Sequence, residues 1–407
     1  MNWITFACLS VVLIVTPFQG GLYYESDMRI WELVIIPLFI IHLLWFSFKH
    51  ATILIRNKNY FLVFLLPLMY VLTIPFAINP SGNMDTILRF ITYACFFLMI
   101  FWIKESTTIS KLLPYVFHLL GIELLIFTFA ELFDVMPMQE SMVGCGGERA
   151  CGPFRYPNTF AAIIGAYWFY TMAIVVHRKR FDWAGVLLAG VMIGYGVILL
   201  HTYSRGSYLF FGVTFVLALL LLWKRWKRFV IISIVSMMLS FGLFSLMSIE
   251  PDQPAEVVPN SFKERVTDMS PSTNTAVARF DFYKQALAMS KDAPWTGFGG
   301  ESWYMYYPEH EKAGGLNQTH NGYLDLLIEI GWVGVLVYAA VFAWLIYQVI
   351  KVRAYAVDQT HGTGVILALM MVFGHSLVDY DFSYGRIWLL VFWLFGIGVK
   401  RVEARHI

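Results

Sequence analysis

From its sequence this chain is an all-α polytopic membrane protein with about twelve spans (ten at the least). One large extracytoplasmic loop separates the ninth span from the tenth. Three observations lead there. The 407 residues are 58% hydrophobic and only 14% charged, an apolar excess that a soluble core of this length does not use. The apolar residues fall into blocks near the ~20 residues that cross a ~30 Å hydrocarbon layer. The basic residues gather in every second loop.

In chain order the spans are expected at 3–18, 30–48, 60–77, 87–103, 112–133, 158–176, 183–200, 207–223, 229–249, 322–350, 362–378 and 386–399. The first lacks a basic flank and a small-residue cleavage site, so it reads as an anchor rather than a signal peptide. The seventh carries Gly190 and Gly194, with Gly185 and Ala189, at the spacing of close helix packing. The loops 49–59, 104–111, 177–182, 224–228, 351–361 and 400–407 hold 17 of the 29 Lys and Arg residues and four of the 27 acidic ones. They are expected on the cytoplasmic side, with both termini, which leaves the alternate loops outside. No linker or repeat divides the chain, and 1–407 reads as a single membrane domain. A net charge of +2 and the lack of a long basic run give no sign of nucleic-acid binding.

Two outside loops are long, 134–157 and 250–321. The first holds Cys145 and Cys151; an oxidising compartment permits a disulfide there, and two free thiols are the alternative. Cys8 and Cys95 lie in spans as apolar filler. In the second, Asn274 or Thr275 can cap a helix from Ala276 to about Lys291. Ala276, Phe280, Tyr283 and Leu287 are expected to form its apolar face, with Arg279 beside that face and turned inward. Pro294 stops it, and Gly297, Gly299 and Gly300 make a turn.

Few polar residues in this chain could carry chemistry. Arg205 sits in a very short outside turn, Ser204-Arg205-Gly206-Ser207. Alone it reads as a lipid-interface anchor, and its small neighbours leave room for an anion. Arg279 alone reads as a salt bridge to Asp281 or Asp268. His320, at the lip of the tenth span, can accept a proton near neutral pH. Asp325 and Glu329 share one face of the following helix and are expected to serve structure, or to pair with a basic group from a neighbouring helix. Asp325 is poorly placed to orient His320. Asp379-Tyr380-Asp381 resembles a metal-holding D-x-D but reads as structural, and Arg386 follows shortly after. Glu123, in the middle of the fifth span, is the best argument for a transporter of a small solute or glycolipid.

Three stretches together resemble a known family. They are the Ser204-Arg205-Gly206 turn, Arg279 followed by Pro294-Trp295-Thr296-Gly297-Phe298-Gly299, and His320-Asn321 with Leu324 and Gly331 entering a span. Gly152-Pro153-Phe154-Arg155-Tyr156-Pro157-Asn158 adds to the likeness. Over residues 150–380 the chain resembles the O-antigen ligase and O-antigen polymerase superfamily. The resemblance implies a cytoplasmic (inner) membrane glycosyltransferase with an extracytoplasmic active site and no metal or other cofactor. Its donor would be a polyprenyl-diphosphate-linked glycan, and its acceptor a glycan, lipid or protein. It implies Arg205, Arg279 and His320 as catalytic residues; Arg155, Asn321 and Asp379 are expected at the substrate. Ligase and polymerase differ in acceptor, and both stay open here.

Overall fold

The computed structural model describes residues 1–104, 106–133, 135, 149–179, 182–248, 274–306, 318–355 and 359–399. Among them every regular element is helical. The main helices are α1 (Asn2–Val15), α2 (Glu25–Arg56), α3 (Leu65–Leu72), α4 (Pro80–Ile103), α5 (Thr107–Leu132), α6 (Pro157–His177), α7 (Trp183–His201), α8 (Arg205–Leu221) and α9 (Trp226–Met247). The second half has α10 (Asn274–Met289), the short α11 (Ser302–Tyr306), α12 (Gly322–Tyr355), α13 (Thr360–His375) and α14 (Gly385–Gly398). Among the described residues eight helices are long and apolar enough to cross a membrane, including the third segment, in which 3₁₀ turns flank α3. The other four expected segments coincide with shorter apolar helices: Asn2–Phe18, Arg205–Leu221, Thr360–His375 and Gly385–Gly398.

Local chemistry sets the helix starts. Asn79, Ser106, Asp182 and Ser204 each accept a bond from a first-turn backbone N–H that the helix itself leaves unpaired. Pro80 and Pro157 occupy first-turn positions that need no N–H. α4, α6 and α14 are apolar on all sides and form the centre of the bundle, with α13 laid along α6. At the far end of α4 from Pro80, the Lys104 ammonium donates to the carbonyls of Gly396, Ile397 and Val399, so a cation closes the end of α14.

One feature of the fold positions the site. α12 breaks at Gly331, whose φ of 62° and ψ of −177° lie outside any helix. The break frees the carbonyls of Ile328 and Glu329. The loop after α10 takes them: Phe298 N–H donates to Ile328 O (2.9 Å) and Gly299 N–H to Glu329 O (2.9 Å). In return Trp332 N–H donates to Pro294 O (2.8 Å). An apolar environment does not forgive unpaired backbone groups, so loop and broken helix satisfy each other. The approach is close enough that a Cβ on Gly297 would lie 2.4 Å from Glu329 backbone, and one on Gly331 2.5 Å from Trp295 backbone. Both glycines also have positive φ, so two of the sequence's marked glycines are one joint.

The packed face of α10 differs from the expected one. Phe280 and Leu287 are exposed, whereas Phe282, Ala286 and Met289 are buried against Trp303 and Ile328. Both stripes are helically spaced. The choice between them falls to the partner surface, since α11 and α12 offer Trp303 and Ile328 to the stripe that also carries Arg279. Cys151 is disulfide-bonded, and Cys8 and Cys95 are free. Cys145 lies outside the described residues, as do all of 250–273 and all of 307–317.

Candidate active site

Three loops meet at one end of the bundle: the entry to α12, the segment between α13 and α14, and the turn between α7 and α8. His320 precedes α12 in a left-handed backbone conformation (φ 58°). A residue with a Cβ holds that conformation only at a cost of about 1–2 kcal/mol, so its neighbours must fix it. Asn321 supplies much of the fixing. Its Oδ1 accepts from the N–H groups of Tyr323 and Leu324, which caps α12, and its Nδ2 donates to Leu377 O at 2.9 Å. Gly322 N–H adds bonds to Ser376 O and Asp379 O. Asn321 is therefore a brace for His320.

Asp379 is the hub of the site. It is 1% exposed, and its two oxygens accept from five groups. These are Tyr156 OH (2.9 and 3.1 Å), Asn158 Nδ2 (2.7 Å), Tyr380 N–H (3.0 Å), His320 Nδ1 (3.4 Å) and Arg279 Nη2 (3.4 Å). Burial on its own raises this carboxyl. The hydrogen bond from His320 and the charge of Arg279 outweigh it and hold the group well below the usual carboxylate range. An ionised carboxylate only accepts, so the imidazole proton on this side sits at Nδ1. In a neutral imidazole so oriented, Nε2 is the accepting nitrogen. Asp379, expected at the substrate, is buried beneath His320 and Arg279.

Arg279 and Tyr283 stand one turn apart on α10. Arg279 Nη1 donates to Val378 O at 3.0 Å, and Tyr283 OH donates to His320 O at 3.0 Å. Burial pushes the Tyr283 hydroxyl up, which keeps it a donor. Phe282, between them in sequence, lies nearly parallel to the His320 ring, while Tyr380 meets that ring edge-on. The expected partners of Arg279 are displaced: Asp281 pairs with Lys284 (3.5 Å), Asp268 lies outside the described residues, and Asp379 takes Arg279. Two of the five guanidinium N–H donors are thus engaged by protein.

The Arg205 turn joins from the other side. Arg205 opens α8, capped by Ser204, and Ser207 Oγ reaches Asn158 O at 3.4 Å. A Cβ on Gly206 would come within 2.9 Å of Val378, the residue whose carbonyl holds Arg279. Arg155 is different. It has φ 57°, is exposed, and makes no side-chain hydrogen bond or ion pair among the described residues. Its neighbours Tyr156 and Asn158 do the work in that stretch, and Arg149 bridges Asn158 Oδ1 (2.7 Å) to Thr202 O (2.8 Å).

The other acidic residues singled out in the sequence have different surroundings. Asp381 is buried and accepts from Thr159 Oγ1 (2.8 Å), His375 Nδ1 (2.7 Å) and Ser376 Oγ (3.2 Å), so the D-x-D is two separate anchors. Asp325 accepts from Thr319 N–H at 3.1 Å. Among the described residues Glu329 forms no ion pair; it accepts from Tyr70 OH (2.6 Å) and Glu301 N–H (2.9 Å). Glu123 lies within electrostatic reach of the buried Arg386, which supplies a structural reason for a carboxylate in the bundle. Sequence reasoning missed Tyr156, Asn158 and Tyr283. The first two sit in the stretch that carried the family likeness, and the third lies one helical turn beyond Arg279.

No curated protein matches this chain. Residues 189–339 match the family model described as O-antigen ligase, a stretch that contains Arg205, Arg279, His320 and Asn321 and ends before Asp379. With an apolar multi-pass bundle around that segment, the match supports a membrane protein similar to the O-antigen ligase and polymerase superfamily.

Proposed function

We propose that this protein transfers an oligo- or polysaccharide from a polyprenyl diphosphate carrier to an acceptor hydroxyl, in the manner of an O-antigen ligase. The reaction is assigned to the outer face of the cytoplasmic membrane, with both termini on the inner side. The observation that carries the reading is the Asp379-centred cluster, which holds a guanidinium and an imidazole side by side on one buried carboxylate. The family match supports glycan chemistry of this type.

The chemistry follows from charge. When the acceptor oxygen attacks the anomeric carbon, the bond from that carbon to the carrier diphosphate breaks and its electron pair leaves with the phosphate. Arg279 and Arg205 would bind that departing charge, guanidinium donors being matched to phosphate oxygens and permanently ionised. They take the electrostatic part that a divalent cation plays in other transferases, so the mechanism needs no metal. His320 Nε2 takes the hydroxyl proton. Attack opposite the leaving group inverts the anomeric configuration.

Extension of another carrier-linked chain, the polymerase reaction, uses the same donor and the same three residues with a different acceptor. The transporter reading is weakened because Arg386 lies within electrostatic reach of Glu123. The test is transfer by the purified full chain from a defined lipid-linked glycan. Arg279→Ala and His320→Ala are each expected to abolish both glycan transfer and release of carrier diphosphate. Transfer that survives both substitutions would sink the proposal.

A further inference from the structure

His320 stands on an electrostatic border. On one side are Arg279 and the Arg205 turn. On the other, reached past Gln318 and Gly322, is a cavity of about 300 Å³ that the transfer chemistry above does not use. It lies between the outer parts of α2, α3 and α4 and the start of α12. Four carboxylates line it, those of Glu25, Glu301, Asp325 and Glu329, against one cation, Arg89. Arg89 is already committed, since its guanidinium pairs with Glu25 and donates to Tyr23 O.

The carboxylates are spread around the wall. Among the described residues no three His, Cys, Asp or Glu side chains are placed to share a metal ion. Glu25 and Glu301 share a hydrogen bond, and Asp325 and Glu329 each have a donor of their own. Glu329 is fixed by Tyr70 OH and Glu301 N–H, and Asp325 Oδ1 by Thr319 N–H. Asp325 Oδ2 is out of solvent's reach and has no hydrogen-bond partner among the described residues. A buried acceptor without a donor costs free energy unless a ligand supplies one. Glu301 holds its place at the rim in a left-handed conformation (φ 55°), the same kind of backbone cost that His320 carries. Between the acceptors the wall is aromatic, with Tyr23, Tyr93, Trp303 and Trp388 among the rings. Dispersed acceptors between ring faces suit a molecule that has hydroxyl donors around its edge and C–H groups on its faces.

Resting on the transferase reading, we propose that this cavity is the acceptor subsite, and that it takes an uncharged or amine-bearing saccharide end and rejects a phosphorylated or uronic one. The border at His320 then sorts the substrates by charge: the anionic diphosphate goes to the arginines and the hydroxyl donor to the carboxylates. Asp325 links the two halves, because Thr319, whose N–H it accepts, precedes the base.

The experiment measures binding without donor. The purified full chain in nanodiscs is titrated with disaccharides of equal size that end in glucose, glucosamine, glucuronate or glucose 6-phosphate, and the fluorescence of the cavity tryptophans is followed. The neutral and amine-bearing sugars are expected to bind at least about tenfold more tightly than the anionic ones, the size of one unfavourable like-charge contact in a partly screened site. Glu301→Gln, at the exposed rim, and Glu329→Gln are each expected to narrow that gap. Equal or tighter binding of the anionic sugars, or a gap that neither variant changes, overturns the proposal. The two readings fail separately. If transfer depends on Arg279 and His320 but anionic sugars bind best, the acceptor assignment falls and the transferase stands. If the cavity selects as described while transfer ignores Arg279 and His320, the transferase reading falls and the cavity remains a saccharide site.

Discussion

Replacing Asp379 with Asn keeps the size of the hub and removes its charge. At 3.4 Å from Arg279, the carboxylate contributes a gross attraction of about 5 kcal/mol at an effective dielectric constant near 20. Arg279 is partly exposed and the carboxylate is desolvated, so the net value of such a charge-assisted contact is nearer about 1.5–3 kcal/mol. The substitution also ends the tautomer control. An amide presents both a donor and an acceptor, so His320 Nδ1 can face either, and some of the population then has its proton on Nε2. If the loss appears in the transition state, kcat falls about 10–100-fold. The donor KM is expected to rise less, because the proposed diphosphate contact of Arg205 is unchanged. The assay is transfer kinetics with a defined lipid-linked donor, with thermal unfolding in the same detergent as the control for folding. Asp379→Glu, which keeps the charge at a longer reach, is expected to recover part of the rate. A D379N protein with wild-type kcat and KM would refute the view that Asp379 orients the base and the arginine.

Two further outcomes follow from the packing. Gly331→Ala places a Cβ 2.5 Å from Trp295 backbone at a positive φ, so it is expected to lower the unfolding temperature and activity together; the strain is at least about 1–2 kcal/mol before the clash is counted, and unchanged thermal unfolding would contradict the joint between loop and broken helix. Phe282→Ala empties the contact with Trp303 and Ile328 and uncovers the His320 ring, so a stability loss of about 2–4 kcal/mol is expected, together with a lower kcat at nearly constant donor KM; a variant as stable and active as the parent would show that α10 does not hold the site.

Much of the site was legible because its residues are chemically costly where they stand. An arginine in a four-residue turn, another on a half-apolar helix and a histidine at the lip of a span are conspicuous in a chain with so few charges. Gly297, Gly299 and Gly331 were conspicuous as well, although their spacing gave no hint that they meet. Asp379 was expected at the substrate, and its bond to His320, 59 positions away, could not be read from spacing. Asp325, only five positions away, serves Thr319 instead.

The sequence alone determined the solvent, the helices and the inventory of reactive groups. Each of these depends on composition or on spacing within about one span, so local order is enough to read it. Tertiary structure decided which stripe of α10 is buried, which carboxylate serves the base, and that four other carboxylates surround a cavity beside it. Those outcomes depend on contacts between segments far apart in the chain. In an apolar bundle an unpaired buried donor or acceptor is costly, and which partner lies within reach is fixed only when the helices pack.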